Sequence, residues 1–453
     1  MKIITPKLEL SDEETFEKDI FGRSEFGQSL LNLACQSNDE LVISLDGRWG
    51  EGKTTFVRMW KNLLKKNDIP CVYIDAFAND YIDDAFISVA SSITSYIDKN
   101  AANKDERKKK EFKEKTKSVG VQILSWTAKV GIKAASLGAI KNSDINELKD
   151  IKNEISGSLS NVVGKFVEER LASHDKDVET LESFKTILSE MPSLLSKNGD
   201  KPLIIIIDEL DRCKPTYAVE LIEKVKHLFS VKNVVFVLVM HMKQLEESVK
   251  SVYGQNIDAR TYLQKFINVE MTLPKSLGNT QVNDISKYNK RLFELHEIES
   301  LDGKDNLIDS IEVLAIHFNL SLRQLEKVYT NIAILYASSS ETDRRLTPII
   351  AFLSVIKVVD TSIYGMLLHK GLTYDELFAK TSLSEQGSNV GEKRKLAFIA
   401  SWLRYCLISD EEFEALDQND RVKGFGNYFS NNNIEAKNII PLYIQKLSMF
   451  TVV

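Results

Sequence analysis

Residues 41–59, LVISLDGRWGEGKTTFVRM, constrain this chain more than any other stretch. An apolar run ends at Asp46, a loop with three glycines follows, and an amphipathic run begins at Lys53. Gly47 to Thr54 (GRWGEGKT) fits the spacing G-x-x-x-x-G-K-[ST], which cradles phosphate when a strand precedes it and a helix follows. Both contexts are present here. Gly47, Gly50 and Gly52 give the loop access to left-handed backbone angles, so successive N–H groups can converge on one anion. Lys53 brings an ammonium to the phosphates and the Thr54 hydroxyl suits Mg²⁺. The helix starting near Lys53 contributes its positive end. Trp49, Glu51 and Thr55 belong to the same candidate nucleotide-binding stretch.

The complement lies far downstream. Leu203-Ile-Ile-Ile-Ile207 is a wholly apolar run followed by Asp208-Glu209-Leu210-Asp211-Arg212. Buried parallel strands deliver their C-terminal residues to the ligand edge of a sheet. Asp208 there suits Mg²⁺ held through water, and Glu209 suits polarising an attacking water. Asp211 and Arg212 fit an internal salt bridge as well as a catalytic role.

Other function classes recede on composition. The chain has 453 residues, 43% apolar and 27% charged, which is ordinary for a globular protein. Eight prolines and twenty glycines favour a helix-rich fold. A net charge of −6 exerts no overall pull toward nucleic acid or anionic lipid. Cys35, Cys71, Cys213 and Cys406 form no C-x-x-C pair, and the six histidines show no metal spacing. Reduced thiols and the lack of an apolar leader at the N-terminus point to a cytoplasmic protein and away from a metalloenzyme.

Taken in order, residues 1–15 read as an extended arm with a helix-start signal at Ser11. Phe26, Leu30, Leu31 and Leu33 form an apolar helical face before the first strand. Ile20-Phe21-Gly22-Arg23 reads either as a helix-entry turn or as an element lying against adenine. Strand 70–75 and helix 81–98 continue an alternation that predicts a parallel sheet with helices on both faces. Lys104 to Lys117 is a dense, mostly basic run, read first as a solvated helix or linker and second as a contact with acidic lipid or nucleic acid. Residues 118–140 carry Lys129 and Lys133 on one face and apolar residues on another. This suits an amphipathic helix on a partner or membrane surface better than a single span. A strand over 233–240 ends at His241, which fits either a phosphate sensor or a core-edge histidine. An edge strand over 266–273 follows Arg260 and Lys265. Beyond Pro274 the pattern is helical, with Ser321 as a cap before Arg323, an apolar helix or pair over 346–368, and turn-like stretches at Gly387-Ser-Asn and Lys423-Gly-Phe-Gly.

Together, GRWGEGKTT (47–55), IIIIDELDRCKP (204–215), VVFVLVMHMKQLEESV, the YGQ at Tyr253 and YLQKFINVEMTLP (262–274) resemble the KAP family of P-loop NTPases. The resemblance covers about residues 16–335. It implies ATP hydrolysis, with Lys53 on phosphate, Thr54 and Asp208 on Mg²⁺ and Glu209 as water activator. It also implies adenine contact at Gly22-Arg23. By analogy with oligomeric ATPases, Arg260 or Lys265 would reach a neighbour's γ-phosphate in a homo-oligomer, and Arg323 would sense it from a helical domain. His241 departs from the aspartate frequent in the family.

The expected organisation is a first half of the P-loop NTPase domain over 1–100 and a helical insertion over 101–175. The second half of that domain follows over 176–275, then a helical lid-like subdomain over 276–340 and a helical C-terminal region over 341–453. The implied role is an ATP-driven regulatory switch acting on a protein effector or adaptor, with prokaryotic anti-phage defence as its setting. Two alternatives stay open: a membrane-surface scaffold, peripheral through residues 104–140, and a nucleic-acid-responsive ATPase using the same residues.

Overall fold

The computed structural model describes residues 1–100 and 182–450, except residues 7, 12, 38–39, 82–84, 183–184, 187, 194, 197–200, 230, 276–282, 299–303, 341–344, 370, 384–390 and 431–434. The basic run, the amphipathic segment and the insertion helices expected over 101–175 lie outside the described residues, as does the turn expected at Gly387.

Among the described residues five parallel strands form one sheet: β1 (Leu41–Asp46), β2 (Cys71–Asp75), β3 (Leu203–Asp208), β4 (Val234–Met240) and β5 (Val269–Thr272). Their spatial order is β2-β3-β4-β1-β5. β4 therefore separates the strand that feeds the glycine loop from the strand that ends in acids. Ile207 pairs with Leu238, and Asp46 with Met240. This register brings the C-terminal ends of β1, β3 and β4 to the same edge. β3 and β4 are buried at every position, as expected for near-continuous Ile and Val runs covered on both faces.

On one face lie α1 (Ser24–Gln36) and α2 (Lys53–Lys66), packed through Leu30, Phe56, Trp60 and Leu64 onto Ile43, Ile204 and Val237. On the other lie α3 (Ala85–Asn100), α4 (Pro215–Phe229), α5 (Met242–Tyr253) and the short α6 (Ala259–Leu263). Trp60 is wholly buried and donates its indole N–H to the Gly27 carbonyl at 3.0 Å. The α1 face differs in one position from its expected form. Ala34 is buried, whereas Leu33 is 39% exposed, because a helical period places 30, 31 and 34 together. Ser11 does not start a helix. Its N–H bonds the Glu14 carboxylate at 2.9 Å, but Asn62 of α2 takes the Ser11 and Glu14 carbonyls and holds the segment as a turn.

Beyond β5 the described elements are helices: α7 (Asp284–Leu295), α8 (Lys304–His317), α9 (Leu322–Ala337), α10 (Thr347–Val359), α11 (Thr361–Leu368), α12 (Tyr374–Thr381), α13 (Glu392–Leu407), α14 (Asp410–Glu414), α15 (Arg421–Ser430) and α16 (Ala436–Ser448). Buried residues from Leu292 to Leu447 share one core, with Tyr329 and Phe352 among its largest members. Ser321 caps α9 in a complete capping box with Gln324. Asp360 divides the 346–368 stretch into a pair by accepting from Ser362 and Ile363. The turn expected at Lys423-Gly-Phe-Gly is instead part of α15. A Cβ on Gly426 would come within 2.3 Å of the Phe413 ring, so that glycine serves close packing, not chain reversal. No described helix is long and apolar enough to cross a membrane.

Candidate nucleotide-binding site

The glycine loop begins where β1 ends. Gly47 donates its N–H to the Met240 carbonyl at 3.2 Å, and Asp46 accepts from the Met242 N–H at 2.8 Å, fixing the loop to β4. Gly50 (φ +78°) and Gly52 (φ +86°) occupy the left-handed region that lacks a Cβ penalty. Gly47 does not take a positive φ. It matters for proximity instead, since a Cβ there would lie 3.3 Å from the Glu51 carboxylate and the Lys53 chain. Gly52 caps α2 without any side-chain hydrogen bond, so the first-turn N–H groups around Lys53, Thr54 and Thr55 point outward from the helix end as an anion site.

Lys53 is nearly buried and folds back on the loop, donating to the Gly47 carbonyl at 2.5 Å and to that of Arg48 at 3.3 Å. Burial holds its ammonium below the ordinary lysine range, opposed by Asp211, Asp208, Asp46 and Glu51. Trp49 stays 43% exposed while its indole N–H bonds the Asp211 carboxylate and its ring meets His241 edge-on at 5.9 Å.

At the acidic strand, Asp208 is 1% exposed. Burial pushes its carboxyl up to about 6, against hydrogen bonds from the Tyr73 hydroxyl (3.0 Å), from Thr54 and from the Glu209 N–H (2.8 Å). A buried carboxylate beside a hydroxyl fits a divalent cation, and Thr54 and Asp208 are the residues that would hold it. Glu209 follows in a left-handed conformation (φ 62°, ψ 28°), and its carboxylate pairs with Arg212 at 2.7 Å. Asp211 and Arg212 thus take separate partners, Trp49 and Glu209. The internal salt bridge read at Arg212 is made with Glu209, whereas Tyr73 had no signal in the sequence. His241 ends β4 between the two halves, with its buried Nδ1 lacking a hydrogen-bond partner among the described residues.

Arg23 is buried and bridges three regions. Its guanidinium donates to the Glu51 carbonyl (3.2 Å) and the Pro274 carbonyl (3.3 Å), faces Asp284 of α7 at 3.6 Å, and lies 4.5 Å above the Phe21 ring. Gly22 supplies the positive φ (+71°) that turns the chain into α1. Glu51 is tied a second time, by Lys275 at 2.5 Å. From the helical region, Arg323 and Ser321 lie against Gly50, and Arg323 itself is exposed. Arg260 sits apart, 45% exposed and paired with Glu246 and Glu270, and Lys265 lies 5.5 Å over the Tyr262 ring. Neither is hydrogen-bonded to the glycine loop among the described residues.

Known proteins are similar to this chain in sequence. The chain is 32% identical over 176 residues to an uncharacterized protein of Methanocaldococcus jannaschii, covering 37% of this chain and 88% of that one. It is 21% identical over 364 residues to the phage T7 exclusion protein of Escherichia coli K12, covering 76% of this chain but only 44% of that longer protein. The ORC2 protein of Aeropyrum pernix, solved with ADPNP and ADP, is 12% identical over 98% of this chain and 96% of its own. Its TM-score of 0.35 is too low to bear on fold or function. Residues 23–339 match the KAP family P-loop domain. With a parallel sheet, a glycine loop and an acidic strand end in that span, the chain belongs to the KAP family of P-loop NTPases.

Proposed function

We propose that this chain binds Mg-ATP, hydrolyses it, and uses the cycle as a switch on a partner protein or assembly. The observation that carries the reading is the meeting of Thr54, from the glycine loop's helix, with Asp208 at the end of β3. The two lie more than 150 residues apart in sequence, and both residue types are those a phosphate-bound Mg²⁺ requires. Bound Mg²⁺ supplies neutralisation of phosphate charge. The chain's own residues do the rest. The N–H groups at the start of α2 orient phosphate, Lys53 leaves the Gly47 carbonyl to meet it, and Glu209 takes the proton of an attacking water. Arg323, exposed beside Gly50, would report phosphate occupancy to the helical region. In a homo-oligomer Arg260 or Lys265 would serve a neighbouring site, Arg260 only after leaving Glu246 and Glu270.

The switch reading rests on the site's connections. Glu51 is bound through both its carbonyl and its carboxylate to residues leading toward α7, so a change in loop shape reaches the helical region. A setting in anti-phage defence draws support from the likeness to the phage T7 exclusion protein, of which this chain spans under half. Calorimetric titration with ATP, with and without Mg²⁺, tests the site. Binding in the wild type should tighten with Mg²⁺, and Thr54→Ala should lose that Mg²⁺ dependence. Equal Mg²⁺ dependence in both would remove Thr54 from the metal site.

A further inference from the structure

Each charged residue of the Asp208–Arg212 turn has a definite partner. Asp208 faces Thr54 and Tyr73, and Asp211 faces Trp49. Arg212 turns back within the motif, donating from Nη1 to Oε1 of Glu209 at 2.7 Å. The pair is closed by local geometry. Glu209 is in the left-handed region, unusual for a residue with a Cβ, and the Arg212 N–H donates to the Glu209 carbonyl at 3.1 Å. The Cys213 thiol faces the same carbonyl at 3.5 Å. The Glu209 side chain is 15% exposed and that of Arg212 32%, so the carboxylate is sheltered while its guanidinium remains reachable from solvent.

We propose that Arg212 is a brake on Glu209, a reading that rests on the ATPase assignment above. A general base must turn a carboxylate oxygen toward the attacking water to accept its proton. Arg212 holds Oε1 in an ion pair and so keeps the carboxylate turned toward its own guanidinium. The residue is therefore a positioning residue, acting on the reaction only through Glu209. Because the guanidinium is a third exposed, the restraint is modest and reversible, and an anionic group brought to this edge competes for it. The left-handed backbone of Glu209 favours release as well, since strain of this kind persists only while surrounding contacts enforce it.

Steady-state phosphate release and Mg-ATP binding, measured on the full chain, test the brake. The comparison uses wild type, Arg212→Met, Arg212→Lys, Glu209→Gln and the Glu209→Gln/Arg212→Met pair. Arg212→Met should raise kcat about two- to fivefold with KM unchanged, the scale of a partly exposed ion pair. Arg212→Lys, which keeps the charge, should lie closer to wild type. In the Glu209→Gln background, Arg212→Met should change nothing, because the residue acts only through that carboxylate. Release seen only once Arg212 is replaced would also support the brake. An unchanged or lower kcat in Arg212→Met, or an equal rise in both backgrounds, would overturn it while leaving the ATPase reading intact. Absence of release from every variant would defeat the ATPase reading and the brake together. If Arg212→Met fails to bind Mg-ATP, Arg212→Gln carries the same comparison.

Discussion

Gly50 of the phosphate loop and Arg323 at the start of α9 are in direct apposition: a Cβ built on Gly50 would stand 2.6 Å from the Arg323 Cβ and 3.2 Å from its backbone nitrogen. This is where the helical region rests on the nucleotide loop. Gly50→Ala meets two obstacles there, a φ of +78° and a neighbour that is not the free end of a flexible chain. The substitution should push α9 off the loop and weaken Mg-ATP binding about tenfold, with strain on the order of 1 kcal/mol at the left-handed position contributing. Isothermal titration reads the outcome. Unchanged affinity would show that the contact is dispensable.

Arg23 should matter for stability as much as for the site. Its removal leaves the largely buried Asp284 carboxylate without its cation, and Asp284 Oδ1 already has no hydrogen-bond partner among the described residues. Arg23→Ala should cost about 2–4 kcal/mol, read from the urea midpoint. Arg23→Lys should recover only part, because a single ammonium cannot span the Glu51 and Pro274 carbonyls and Asp284 together. Full recovery by lysine would contradict the fork geometry.

The N-terminal arm supplies a pH dependence. His296 lies buried on α7's end, with Nδ1 2.7 Å from the Lys2 carbonyl and Nε2 2.9 Å from the Thr5 hydroxyl. The carbonyl can only accept, which assigns the proton to Nδ1. Burial holds His296 below the ordinary histidine range, so the unfolded chain takes up its proton first. The stability it contributes is complete above the ordinary histidine value of about 6.5 and is lost as pH falls from there through the lower value of the folded state. Thermal melts at pH 7.5 and 5.5 should show a larger drop for wild type than for His296→Gln. Parallel drops would exclude this residue.

Much of the site was legible because its halves are short patterns. The Gly47–Thr54 spacing and the apolar run into Asp208-Glu209 each imply a strand and its edge, and both lie where the patterns place them. What joins them was not legible. The strand order places β4 between β1 and β3, a matter of packing between distant segments that no local periodicity encodes. Tyr73 reaches Asp208 across 135 positions and Arg23 reaches Pro274 across 251, and neither residue has a local signature for its partner. The Lys423–Gly426 misreading has the same origin. Glycine marks a turn by its freedom, but Gly426 is there for its small size against Phe413. At Ser11, half of a capping pattern was overridden by Asn62 of α2.

The central claim, that Glu209 and Lys53 belong to one hydrolytic site, is tested most directly by phosphate release from Mg-ATP in wild type, Glu209→Gln and Lys53→Ala, with ATP binding measured alongside. Wild type should bind and release phosphate. Glu209→Gln should keep binding and lose about 100-fold in rate, the scale of a removed general base. Lys53→Ala should lose binding itself. Equal rates in wild type and Glu209→Gln, or a wild type that neither binds nor hydrolyses Mg-ATP, would contradict the account.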